Sequence, residues 1–232
     1  MDIVIDSLLA GAARAAGTVA IIDVFRAFTT AAVALANGAR RILMVGSVAE
    51  ALALRAAGLG EICLGEVHGQ TPPGFDFGNS PHEIAAADLR GRTLIQRTSA
   101  GTQGVLAAHG AGRLYAAALV TAEATARAMR AGAPQRITLV AMGEEGSVRT
   151  EEDEACALYL RDRLEGRPGD AEAVRRRILA GREIARFHDP ARPYLHPADI
   201  AIALDIDRYD FAVRVDLLEG RPVARIEQPP RG

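Results

Sequence analysis

Short β-branched runs alternate with helix-length stretches along most of the chain, and this alternation constrains the fold more than any other feature. Thr18-Val19-Ala20-Ile21-Ile22-Asp23-Val24 is short and continuously apolar before its Asp, so it reads as a buried strand. Residues 41–45, 61–65, 92–98 and 136–142 read as further strands. Between them lie helical stretches. Residues 28–36 end at Asn37-Gly38, a C-cap signal. Ser47-Val48-Ala49-Glu50 is a capping box that opens a helix to Ala57. Thr121 caps a helix to about Ala131, and residues 151–164 and 170–179 are helices with arginine-rich exposed faces. Near the C-terminus, residues 211–217 and 222–226 flank Leu218-Glu219-Gly220-Arg221, which predicts a hairpin. The expected fold is α/β, a mixed, largely parallel sheet flanked by helices. It forms a single domain over residues 1–232, with residues 186–232 as a candidate small subdomain. Residues 66–82 and the three-proline stretch 186–197 are non-periodic and read as long loops, the kind that carry function.

Composition narrows the chemistry. Net charge is −2, from 27 basic and 29 acidic residues, which argues against a nucleic-acid footprint. All 27 basic residues are arginine. Schiff-base lysine mechanisms and the P-loop lysine are therefore excluded. Any anion must be held by arginine, main-chain N–H groups or a metal. Cys63 and Cys156 form no CxxC pair or zinc spacing, and buried packing in a reduced compartment suits them. No apolar run approaches the roughly 18 residues of a membrane span, and Met1-Asp2-Ile3 lacks a basic leader region. A cytoplasmic location without membrane attachment is the expectation.

Ligands of open α/β sheets bind outside the carboxyl ends of the strands, so the polar residues there are the first candidates. Asp23 closes the first clear strand and Glu66 follows the strand ending at Gly65. Both are hard oxygen ligands suited to Mg²⁺. Arg26 offers a planar fork for a carboxylate, sulfonate or phosphate. Thr98-Ser99-Ala100-Gly101-Thr102 opens a helix with small residues whose N–H groups can face an anion. Together these groups suit metal-assisted phosphoryl transfer. Each also has a plainer reading: a strand-end Asp as a helix cap, a lone Arg as a surface pair, an acidic run such as Glu144-Glu145 or Glu151-Glu152-Asp153-Glu154 as solvated helix-start charge. Gly74-Phe75-Asp76-Phe77-Gly78-Asn79-Ser80-Pro81 is the most tightly shaped string, and Asn79-Ser80-Pro81 could start a short helix over residues 82–87.

At this string the chain resembles the 2-phosphosulfolactate phosphatase (ComB) family. Four motifs carry the resemblance in order: Ile22-Asp23-Val24-Phe25-Arg26-Ala27-Phe28-Thr29-Thr30 with Ala34-Leu35-Ala36-Asn37-Gly38-Ala39; Leu64-Gly65-Glu66 with the Gly74–Pro81 string; Thr98-Ser99-Ala100-Gly101-Thr102; and Glu152-Asp153-Glu154-Ala155-Cys156-Ala157. Asp207-Arg208-Tyr209-Asp210-Phe211 also looks like the family's ending. The resemblance covers nearly the whole chain. It implies a layered ComB-like α/β fold and a Mg²⁺-requiring phosphatase that converts 2-phospho-3-sulfolactate to 3-sulfolactate in coenzyme M biosynthesis. Two departures stand out. Ala100 replaces the asparagine of the usual third motif, and Val67-His68-Gly69 replaces the usual arginine and paired glycines. Both bear on the sulfonated substrate more than on the fold.

The resemblance assigns roles accordingly. Asp23, Glu66 and Asp76 are expected to supply metal ligands or the general base. Arg26 and the turn of Thr98, Ser99, Gly101 and Thr102 are expected to bind the substrate's anionic groups. Asn79 and Ser80 are expected to touch substrate or metal-bound water. Glu152 and Asp153 are candidates to complete the metal site or act as the general acid. Asp23-Val24-Phe25-Arg26 lacks the second Asp of the Asp-x-Asp phosphatase pattern, which favours direct attack by water. The alternatives are a non-catalytic binder of a small phosphorylated or sulfonated acid, and a phosphatase for a different phosphorylated acid. A homodimer is open.

Overall fold

The structure is a computed structural model that describes residues 1–230. Nine strands form one sheet: β1 (Asp2–Ser7), β2 (Gly17–Ile22), β3 (Arg41–Met44), β4 (Ile62–Gly65), β5 (Thr93–Arg97), β6 (Ala111–Ala117), β7 (Arg136–Ala141), β8 (Ala212–Leu218) and β9 (Arg221–Glu227). Their order is β1-β7-β2-β6-β8-β9-β3-β5-β4. The β1-β7-β2-β6 group and the β3-β5-β4 group are each internally parallel. The β8–β9 hairpin lies between them and pairs antiparallel to β6 on one side and β3 on the other. The mixed, largely parallel α/β sheet is therefore as expected. Its hairpin turns at Glu219-Gly220, both with positive φ, which matches the right-handed twist of the flanking strands.

Strand alternation sets the two faces. Val19 and Ile21 pack on one side, with Ala31, Val105 and Val140. Ala20 and Ile22 pack on the other, with Leu139, Ala126 and Leu160. The helix Ala27–Ala36 is buried along almost its whole length, which explains its near-absence of polar residues. The helices Val48–Ala56, Ala122–Arg130, Glu151–Leu164 and Ala171–Leu179 fall where their patterns place them. No helix of the described residues is long and apolar enough to cross a membrane.

Strands β1 and β6 have no counterpart in the sequence reading. The apolar run of β1 is only Ile3-Val4-Ile5, and β6 is rich in Ala and Gly, which strands disfavour. Both gain their strand character from pairing, β1 with β7 and β6 with β2 and β8. At Ser47 the capping box forms nearly as read. Its hydroxyl accepts from the Glu50 N–H at 3.1 Å, while the Glu50 carboxylate accepts from Gly46 rather than from Ser47. Ser47→Ala is expected to lower stability by about 1 kcal/mol, read as a shift of the urea unfolding midpoint.

Candidate active site

The antiparallel hairpin reverses the sense of the β3-β5-β4 group relative to β2 and β7. The strand ends therefore do not share one edge of a flat sheet, contrary to the simplest expectation. They converge all the same. Gln96 of β5 donates to the Ala27 carbonyl at 2.9 Å, and the Ser99 N–H donates to Glu66 at 2.5 Å. The loops after β2, β4, β5 and β7 meet around a cavity of about 530 Å³. Its floor includes Asp23, Glu66, Asn79, Ser99, Gly143 and Glu152, and much of its opposite wall comes from residues 183–195.

Asp23 is the hub of this floor. Its Oδ1 accepts from the Ala27 N–H at 3.0 Å, the first turn of the buried helix. Gly101 packs so close that an added Cβ would stand 2.9 Å from Asp23 Oδ2, so only glycine leaves that oxygen room. Burial, with a further push from Glu66, raises the Asp23 carboxyl to about 7. Glu152, at the start of its helix, is raised to about 7 by burial and by Glu183 and Asp23. Its Oε2 is buried without a hydrogen-bond partner, as is Oδ1 of Asn79.

The other predicted residues divide. Glu66 accepts from the Ser99 N–H, the Ser99 hydroxyl and the Gly69 N–H, so it ties the β4 and β5 loops together at the cavity wall. Arg26 is buried and its Nη1 donates to Asp199 at 2.9 Å and to the Tyr194 carbonyl at 2.8 Å, so part of its fork is committed inside the protein. Asp153 accepts from the N–H groups of Val24 and Gly143 and clamps the loops after β2 and β7. Its carboxyl is pushed well up by burial, Glu152 and Asp23.

Four residues stand differently from the expectation. The Asp76 carboxylate accepts from Arg55 and from the Cys63 N–H and does not line the cavity, because its turn packs on the outer side of β4. Ser80 donates to Asp199 at 2.6 Å and caps the helix Pro81–Ala85. Thr98 and Thr102 bond each other reciprocally through backbone and hydroxyl, which shapes the loop from within. The N–H groups of the Ser99–Gly101 turn serve Glu66 and Asp23, not an open cradle.

From Arg186 onward the wall at residues 183–195 was legible only as a long loop, and the short helix Glu183–Arg186 that begins it carried no sequence signal. Glu183, Arg186, Asp189, Arg192 and Tyr194 all face the cavity from it. Arg186 pairs with Glu183 at 2.6 Å and with Glu144 of the loop after β7. His68 and Glu145 meet across the mouth at 2.5 Å, and Glu145 draws the His68 ring's pKa upward. Asp199 is fully buried, bonds Arg26, Ser80 and the His82 N–H, and carried no sequence signal.

A sequence model of the 2-phosphosulpholactate phosphatase family matches residues 4–196, most of the chain. The chain belongs to this family. Relatives named "probable 2-phosphosulfolactate phosphatase" include one from Bacillus subtilis, 32% identical over 200 residues and covering 84% of this chain and 85% of the relative. One from Thermoplasma acidophilum is 33% identical over 168 residues, covering 69% and 74%. One from Deinococcus radiodurans is 40% identical over 132 residues, covering 55% and 54%. Phosphatases of this name are phosphoric monoester hydrolases.

The donor set around the cavity has the chemistry of a Mg²⁺ site. Among the described residues seven carboxyl groups line the cavity (Asp23, Glu66, Glu144, Glu145, Glu152, Glu183 and Asp189) against three guanidiniums (Arg26, Arg186 and Arg192). A multiply charged anion entering there needs added positive charge. The orphaned oxygens of Glu152 and Asn79 are hard donors. Among the described residues no three His, Cys, Asp or Glu side chains form a preformed metal cluster. Mg²⁺ is commonly held by one or two carboxylates with waters and substrate oxygens, so the set fits.

Proposed function

We propose that the chain hydrolyses the phosphate monoester of a small hydroxy acid, 2-phospho-3-sulfolactate, to 3-sulfolactate and phosphate, with Mg²⁺. The observation that carries this reading is the convergence of Asp23 and Glu152, two buried carboxyls both raised to about 7, on one acidic cavity at the strand ends. Glu152 and Asn79 would hold the ion. Bound Mg²⁺ supplies charge neutralisation for the phosphoryl oxygens.

The remaining chemistry falls to the chain's own residues. Phosphoryl transfer depends on positioning and charge stabilisation more than on covalent chemistry. Asp23 takes the proton of the attacking water as the new P–O bond forms. The ester P–O bond breaks, the leaving alkoxide takes a proton from solvent to become the hydroxyl of the product, and Asp23 returns its proton to solvent. Asp153 and Glu66 act as positioning residues, because their oxygens are spent on loop N–H groups that shape the floor. Their deletion is a matter of geometry, not of proton transfer.

Phosphate release from synthetic 2-phospho-3-sulfolactate, with Mg²⁺ and with excess chelator, tests the reading. Chelator-sensitive release with one 3-sulfolactate formed per phosphate is the expected result. Saturable binding of the substrate with no release in Mg²⁺ would overturn it in favour of a non-catalytic binder.

A further inference from the structure

Among the described residues three arginines face the cavity, and their partners distinguish them. Arg26 is 4% exposed and its Nη1 already holds Asp199 and the Tyr194 carbonyl. Arg186 is bound to both Glu183 and Glu144. Arg192 differs. Its side chain is 37% exposed, the nearest carboxylate oxygen is that of Asp189 at 3.6 Å, and its guanidinium makes no hydrogen bond among the described residues. It stands on the wall formed by residues 183–195, beside the apolar Phe187, Ala191 and Leu195. An arginine fork on such a wall, part-shielded from water and held only by a 3.6 Å ion pair to Asp189 with no hydrogen bond, is the cavity arginine best able to receive an incoming oxyanion.

The charge layout separates the position of the phosphoryl group from that of the substrate's other anionic groups. The floor is where the phosphoryl group must lie, since the reacting carboxyl and the orphaned oxygens are there. Arg192 belongs to the wall, not to that floor. We propose that Arg192 binds the sulfonate of the substrate, the anionic group on the carbon next to the one that bears the phosphate, and so determines preference for sulfonated over plain hydroxy-acid phosphates. This rests on the hydrolase reading for the choice of ligand. Two guanidinium N–H groups match two sulfonate oxygens, and a charge-assisted contact of this kind discriminates strongly against a ligand that lacks the group. Arg192 is thus a specificity residue, with no part in moving a proton.

The test separates this inference from the activity. Calorimetric titration with 3-sulfolactate and with lactate, in Mg²⁺, is run on the wild-type chain, Arg192→Ala and Arg192→Lys. Arg192→Ala is expected to weaken 3-sulfolactate binding roughly 10- to 100-fold and to leave lactate binding unchanged. Arg192→Lys, which keeps the charge and loses the planar fork, is expected to recover part of the loss. Steady-state rates on 2-phosphosulfolactate and 2-phospholactate should show the same selective loss, carried by KM rather than kcat. Equal weakening of both ligands, or unchanged 3-sulfolactate binding, would overturn the assignment. If the selective binding loss appears while the wild-type chain releases no phosphate, the hydrolase reading falls and the sulfonate contact stands.

Discussion

Asp23→Asn is expected to slow phosphate release by about 10³-fold while leaving the fold in place. The side chain stands at the end of β2, 6% exposed, in a fold position shared by backbone and chemistry. Its Oδ1 receives the Ala27 N–H, so the carboxyl both caps the buried helix and faces the cavity. Asparagine keeps one accepting oxygen for that bond and removes the basic oxygen that the attacking water needs. Burial holds the native carboxyl near 7, which is a cost on the order of 4 kcal/mol once the group ionises. Losing the charge removes that cost. Against it stands the amide NH₂ turned toward an N–H donor, which costs about 1–3 kcal/mol. The balance leaves the variant no less stable than the wild type at pH 8. Thermal unfolding by circular dichroism, paired with a phosphate-release assay, reads both quantities on one preparation. A variant that stays folded and retains more than a tenth of the activity would remove Asp23 from the reaction.

The same residue shows how far the sequence could be read. Asp23, Arg26 and Glu66 follow strand ends, and rules about strand ends point to them directly, whereas Asn79 and Glu152 gained their roles only through the family resemblance. What the sequence hid was partnership. Nothing in Arg26's surroundings in the chain announces Asp199, 173 residues away, which takes half of its fork. Asp76 sits inside the most distinctive string and still points to Arg55, because the turn is built to carry Asn79 and Ser80 inward. Thr98 and Thr102 look like anion donors and spend their hydroxyls on each other. The wall at residues 183–195 was legible as a loop but not as a wall, since no periodic pattern fixes where a proline-rich segment lies. Sheet order was not legible for a related reason. Strand identity is local, whereas the insertion of the β8–β9 hairpin between β6 and β3 is a pairing choice made over more than 100 residues.

The buried carboxylates should make stability fall as pH rises, and Mg²⁺ should reverse that fall. Asp23 and Glu152 are each held at about 7 in the native state, and Asp153 is also raised, chiefly by burial. In the unfolded chain these groups ionise near 4. Between roughly pH 4 and pH 7 the native state therefore holds more protons than the unfolded one. The slope of unfolding free energy with pH is negative in that window, so stability decreases on raising the pH. Below about 4 all three are protonated in both states and the penalty vanishes. Above 7 it is complete for Asp23 and Glu152, on the order of 4 kcal/mol for Asp23 alone. In chelator, Tm is thus expected to drop by several degrees between pH 5 and pH 8, which is opposite to the behaviour of a protein held by salt-bridged carboxylates. A cation that binds only the folded, ionised site stabilises by mass action. Millimolar Mg²⁺ should then raise Tm markedly at pH 8 and barely at pH 5. Glu152→Gln removes one buried charge and the orphaned acceptor, so it should flatten the pH profile and blunt the Mg²⁺ response together. Differential scanning calorimetry at four pH values, with and without Mg²⁺, gives all of these numbers. A Tm in chelator that rises from pH 5 to pH 8, or a Mg²⁺ shift equal at both ends, would show that the cluster is neither strained by its charge nor the place where the ion binds.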